Sequence, residues 1–103
     1  MSNFIICTNS AVGGNAGATT IERNAITEHL KAKGWPVWHW FEDVWLAVDE
    51  SEETTPRELR EELRSLIDEK TFILIMQVEP VAFSGYGRKD GWPWMKENWG
   101  RSE

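Results

Sequence analysis

The chain has 103 residues, 41% of them hydrophobic, with 11 basic and 17 acidic side chains and a formal net charge of −6. That length is one domain with enough apolar material for a core without covalent staples, so residues 1–103 read as a single domain, with a folded core over about 3–79 and an aromatic-rich segment over 80–103. The acidic balance argues against a generic binder of phosphate backbones, which needs a basic face, and nucleic acid is not an expected partner.

A lone cysteine, Cys7, has no partner for an internal disulfide, which fits a reducing compartment. No run approaches the ~18 apolar residues of a membrane span, and the start MSNFIIC lacks a basic region followed by a long apolar stretch. A cytoplasmic location with no membrane partner is expected. The compositional outlier is tryptophan: seven, four of them between Trp35 and Val48.

The run Phe4-Ile5-Ile6-Cys7, within Asn3–Thr8, is short and β-branched, which predicts a strand. Because it is continuous rather than alternating, both of its faces should be covered. Asn9–Ala18 is a glycine-rich loop. Thr19 and Glu22 have the capping-box spacing and open a helix whose apolar face is Ile21, Ala25, Ile26, His29 and Leu30, ended by Gly34.

Trp35–Phe41 predicts a second strand, at a sheet edge because Pro36 cannot donate to a ladder. Parity puts Val37, His39 and Phe41 on one face and Trp38 and Trp40 on the other. Glu42-Asp43 is a turn, and Val44–Val48 a central strand. Thr55-Pro56-Arg57-Glu58 is a second helix start, followed by Leu59, Leu63, Leu66 and Ile67 on one face. Asp68-Glu69-Lys70 ends that helix, and Phe72–Val78 is a fourth strand. Near the C-terminus Trp92, Met95 and Trp99 share one side of a short helix stopped by Gly100.

Strand, helix, strand, strand, helix, strand is the split βαβ or ferredoxin-like arrangement (βαββαβ), an α+β fold. It has a four-stranded antiparallel sheet, two helices on one face and here a short C-terminal helical segment. Two helices cover one face, yet at least three strands are apolar on both. A bare patch of that size is rare on a soluble monomer, so the second face needs cover from the C-terminal segment or a second copy of the chain, and both are expected to contribute. Trp38, Trp40, Trp45, Ile73 and Ile75 are the candidate residues of a homodimer interface.

The loop before the first helix sits where phosphate cradles occur. Asn9, Ser10, Gly13, Gly14, Asn15, Gly17 and Thr19 are therefore candidates for binding a nucleotide or other anion. The P-loop pattern fails, however, because Ala18 stands where its lysine belongs. Cys7, His29 and His39 lack the neighbours of a zinc or nucleophile site. The adjacent pairs Glu42-Asp43, Asp49-Glu50 and Glu52-Glu53 point to opposite sides and share a metal poorly. No catalytic residue, metal or cofactor is expected. The tryptophans of Trp35–Val48 have no lysine or arginine among them to serve a nucleic acid.

The segment WHWFEDVWLA, a polar stretch, TPRELREELRSLID and a following strand resemble the SinR-like small proteins, related in fold to the smaller, ferredoxin-like subunit of the CRISPR spacer-integration complex. Trp38, Trp45 and Leu46, then Leu59, Leu63, Ile67 and Asp68, then Trp94 and Lys96 carry the likeness. It implies a ferredoxin-like fold and a homodimer. It also implies, for some relatives, metal-dependent cleavage of nucleic acid by an acidic residue ending the first strand. Here that strand ends Cys7-Thr8-Asn9-Ser10, without a carboxylate to hold Mg²⁺. The leading expectation is thus a non-catalytic homodimer acting through protein–protein contacts. A divergent metal-dependent nuclease and an anion binder at the glycine-rich loop are the alternatives.

Overall fold

The structure, a computed structural model, describes residues 1–10, 17–79, 82–87 and 89–102. Its elements in order are β1 (Ser2–Ser10), α1 (Thr20–Ala32), β2 (Val37–Phe41), β3 (Val44–Asp49), α2 (Pro56–Arg64), β4 (Thr71–Val78), β5 (Ala82–Phe83), α3 (Gly91–Asn98) and β6 (Arg101–Ser102). The main sheet is antiparallel with strand order β2-β3-β1-β4, and β5 and β6 form a small parallel pair. The apolar runs of β1 and β3 are therefore central, the strand preceded by Pro36 is one edge, and the apolar run of β4 is the other.

Both principal helices start as their sequences dictate. Thr19 and Thr55 each accept the N–H of the residue three further on, and Glu22 and Glu58 reach back to the cap N–H. This satisfies donors that a helix terminus otherwise leaves orphaned. α2 is shorter than its apolar periodicity predicts, ending at Arg64, but Leu66 and Ile67 still pack on the core. β1 is longer than predicted and takes in Asn9 and Ser10, which pair with Phe72 and Thr71 of β4.

The sheet has a core on each side. On one, Ile26 and Leu30 of α1 and Leu59 and Leu63 of α2 pack on Phe4, Ile6, Trp45 and Ala47. The register matches large to small across the two central strands, with Phe4 opposite Ala47 and Ile6 opposite Trp45. Trp45 is fully buried, and its indole N–H donates to Thr27 Oγ1 at 2.9 Å, the partner that a buried indole requires. The His39 ring stacks on it at 4.4 Å between centroids.

On the other side Met95 and Trp99 of the C-terminal segment cover Leu46 and Val48, with Ile5, Trp40, Val78, Phe83, Trp92 and Trp94 around them. The C-terminal segment thus supplies one of the two covers expected for this face. Its fit is close. A Cβ on Gly91 would collide with the Trp40 ring and lie 3.1 Å from Trp38 Nε1, so only glycine lets α3 lie this near β2.

Two faces differ from the sequence reading. Ile21 is 82% exposed, and Glu22 is buried in its place. The helix is rotated so that the Glu22 carboxylate, not Ile21, meets the N–H of Asp68 and the Thr71 hydroxyl. In β2 the register shifts between His39 and Phe41, so that Phe41 pairs with Val44. Such a bulge inserts one residue and reverses the alternation beyond it. Phe41 therefore leaves the helix-covered face and joins Trp38 and Trp40 on the other.

These placements set expectations for urea denaturation. Trp45→Ala should cost about 3–5 kcal/mol, the range for emptying a large buried aromatic site. Ile21→Ala should change stability by no more than about 0.5 kcal/mol, as for other exposed positions.

Candidate functional site

The predicted loop site is organised by a residue outside it, Asp43. This carboxylate comes from the β2–β3 turn and reaches the end of β1 and the start of α1. Asp43 Oδ1 accepts from the Thr8 hydroxyl at 2.6 Å and from the Ala18 N–H at 2.8 Å. Arg23 Nη2 donates to Oδ2 at 2.9 Å, and Arg23 Nε lies 3.4 Å from Oδ1. The Thr8 N–H donates to the Asp43 carbonyl at 3.0 Å. Gly17 is pressed so near the carboxylate that a Cβ there would overlap it.

Partial burial alone would raise the Asp43 pKa. The Arg23 hydrogen bonds, those from Thr8 and Ala18, and the Arg23 charge together hold it below the usual carboxylate range instead. Chemically this is a clamp. Both oxygens are taken, and the positive end of α1 already faces a carboxylate of the same chain. The Thr19 N–H is likewise taken, by Glu22 Oε1 at 2.9 Å.

Of the residues singled out as an anion site, Gly17 and Thr19 meet at this clamp. Gly13, Gly14 and Asn15 lie outside the described residues. Ser10 ends β1 opposite Thr71, and Asn9 is exposed opposite Phe72. Strand alternation sends Asn9 to the face opposite Thr8, so the structure separates it from Gly17 and Thr19. An acidic residue does stand beside the end of β1, but it is Asp43, already committed to Arg23. Among the described residues no group of three or more His, Cys, Asp and Glu converges as a metal site. Partial burial pushes the Cys7 thiol up, so it is protonated at neutral pH.

The candidate interface residues divide between the two faces. Trp38 and Trp40 lie under the C-terminal segment. Trp38 packs on Trp94 at 6.4 Å and Trp40 meets Trp92 edge-on at 5.0 Å. Trp45 is sealed under the helices, and Ile73 and Ile75 are half-buried against the same core. Trp45 thus has no surface to offer a second copy, because its parity matches Ile6 rather than Ile5. The open apolar surface is instead Phe72, Leu74 and Met76 of β4, 59%, 56% and 41% exposed. With Phe41 they flank the part of the sheet that the C-terminal segment leaves uncovered. Strand parity puts Phe72, Leu74 and Met76 on the face opposite Ile73 and Ile75; how far the C-terminal cover extends over that face is decided by the fold.

Three other carboxylates also accept from donors of the same chain. Asp49 accepts from Ser51 and Thr54, Glu62 from His29 and Lys33, and Glu22 from Thr19, Asp68 and Thr71. In each, burial raises the pKa but the hydrogen bonds outweigh it, and the net shift is downward. A folded-state pKa below the unfolded one means that the unfolded chain binds more protons between the two values. The stability from these groups is present above the unfolded carboxylate values of about 4 and is lost as pH falls through the lower folded values. Asp43→Asn should therefore lower stability at pH 7 by about 1–3 kcal/mol, the range for stranding a partly buried partner. It should also flatten the loss of stability below about pH 4, read from urea midpoints across an acid series.

No protein-family model, curated protein or solved structure matches this chain.

Proposed function

We propose that this chain is a small ferredoxin-like protein that acts as a cytoplasmic homodimer through protein–protein contacts, with no chemistry of its own. The element order and the sheet order β2-β3-β1-β4 are those of the split βαβ arrangement, which supports the fold assignment. The SinR-like resemblance stands with it as part of the same proposal. No helix among the described residues is long and apolar enough to cross a membrane.

The observation that carries the dimer is β4. It is an edge strand of eight residues, Thr71–Val78, with no proline and no charged side chain. Its outer N–H and C=O groups have no neighbouring strand among the described residues, and it exposes Phe72, Leu74 and Met76. Natural proteins blunt such edges with charge, proline, bulges or brevity. The opposite edge has all but the charge: β2 has five residues, follows Pro36 and carries the register shift.

One open edge and one blunted edge favour a closed pair over a fibre. Antiparallel pairing of β4 with β4 of a second copy obeys a two-fold axis and consumes the open edge of both. It would also bring the two exposed stripes together beside the axis.

Light scattering on a sizing column at tens of micromolar should give twice the chain mass of 11.9 kDa. Leu74→Lys, which adds a charge at an already exposed site, should give the single-chain mass and a cooperative melt whose midpoint, unlike that of the wild type, does not rise with protein concentration. A wild-type monomer would sink the dimer, and a Leu74→Lys dimer would move it away from β4.

A further inference from the structure

The sheet edge away from β4 carries a cleft that the dimer does not use. It lies between the end of β2 and the start of α3 and has a volume of about 470 Å³, within the range of small-molecule sites. Trp38, Trp40 and Phe41 line it with His39, Glu42, Gly87 and Asp90, and the described lining includes no lysine or arginine; the His39 ring stacks on Trp45 and its Nε2 lies 2.6 Å from the Glu42 carbonyl. We infer that this cleft binds an alkylated ammonium group, held by the aromatic rings and the Glu42 and Asp90 carboxylates.

Three observations converge on that chemistry. The first is the aromatic density. β2 turns Trp38, Trp40 and, past its bulge, Phe41 to the same face, and indole faces are the best side-chain partners for a cation. The second is Asp90. It stands at the N-cap of α3, where aspartate normally accepts from the helix N–H groups, yet it makes no cap hydrogen bond. It lines the cleft instead. The third is Glu42, whose side chain is 84% exposed and whose ion-pair partner among the described residues, Arg23, is 3.6 Å away and bound more closely to Asp43 at 2.9 Å.

The lining also selects among cations. A primary ammonium is strongly hydrated and would have to give up that water to lie against aromatic carbon and indole N–H groups, which offer it no acceptor. A trimethylammonium group has no N–H to satisfy and presents an apolar skin to the rings. It keeps its charge for the two carboxylates.

The test uses ¹⁵N-labelled wild-type protein and follows the indole N–H signals. Choline chloride should shift the Trp38 and Trp40 signals saturably and leave buried Trp45 in place. Its uncharged isostere 3,3-dimethylbutan-1-ol should shift them at least tenfold less at equal concentration. A peptide bearing trimethyllysine, run beside the unmethylated peptide, distinguishes a side-chain source of the same group from a free small molecule; binding of either charged probe supports the site. Asp90→Asn and Glu42→Gln, surface changes that leave the rings in place, should each weaken choline binding by about fivefold, the effect of one exposed charge near 4 Å. The inference is overturned if neither charged probe shifts Trp38 or Trp40 up to tens of millimolar. Equal shifts from the neutral isostere, or undiminished choline binding in both variants, overturn it as well.

Discussion

A four-stranded sheet that is apolar on both faces constrains everything else in this molecule. β1 and β3 each place large side chains on both sides, Phe4 and Ile6 against Ile5, and Trp45 against Leu46 and Val48. Two amphipathic helices satisfy one side. The other must be covered by material from elsewhere, because removing apolar area from water is the main term favouring the folded state. The C-terminal tryptophans meet that demand over β3 and half of its neighbours. On β4 they reach only Val78, at its end, and leave Phe72, Leu74 and Met76 exposed.

Polar groups at the sheet ends are managed by carboxylates rather than by chance contact with water. Glu22, Asp43, Asp49 and Glu62 each gather two or more donors, Glu22 and Asp43 from separate parts of the chain, Glu62 from the neighbouring helix and Asp49 from the turn that follows it. Asp43 joins a turn, a strand end and a helix start, and Glu22 joins α1 to the approach to β4. A buried carboxylate is tolerable only when so surrounded. The acidic composition of the chain is therefore partly structural. The clamp at Asp43 also gives the α1 N-terminus its own negative charge, a poor starting point for holding a phosphate.

The β2 bulge has a consequence beyond geometry. By turning Phe41 to the same face as Trp38 and Trp40, it gathers three aromatic rings where α3 begins, next to a carboxylate that its own helix leaves unused. Gly91 lets that helix approach. The two ends of the sheet thus present different surfaces, a plain apolar edge at β4 and an aromatic, acidic cleft at β2.

Local chemistry in the sequence was enough to locate both capped helices, the edge position of the strand after Pro36, the central strands and the shared side of Trp92, Met95 and Trp99. Those features depend on neighbours within four residues or on strand parity, and both are written in the chain. Parity also showed that a second sheet face existed and needed covering. What parity could not show was the bulge between His39 and Phe41, since a one-residue insertion leaves no mark in composition. Nor could local pattern separate Ile21 from Glu22, because the rotation of α1 is decided by donors at Asp68 and Thr71, 46 and 49 residues away. Asp43 read as a solvated turn residue until the fold brought Thr8, Ala18 and Arg23 to it. The sequence alone determined which segments are apolar, capped or stopped. The tertiary structure decided which of those apolar faces meet one another and which remain open, because burial depends on how far each covering segment reaches.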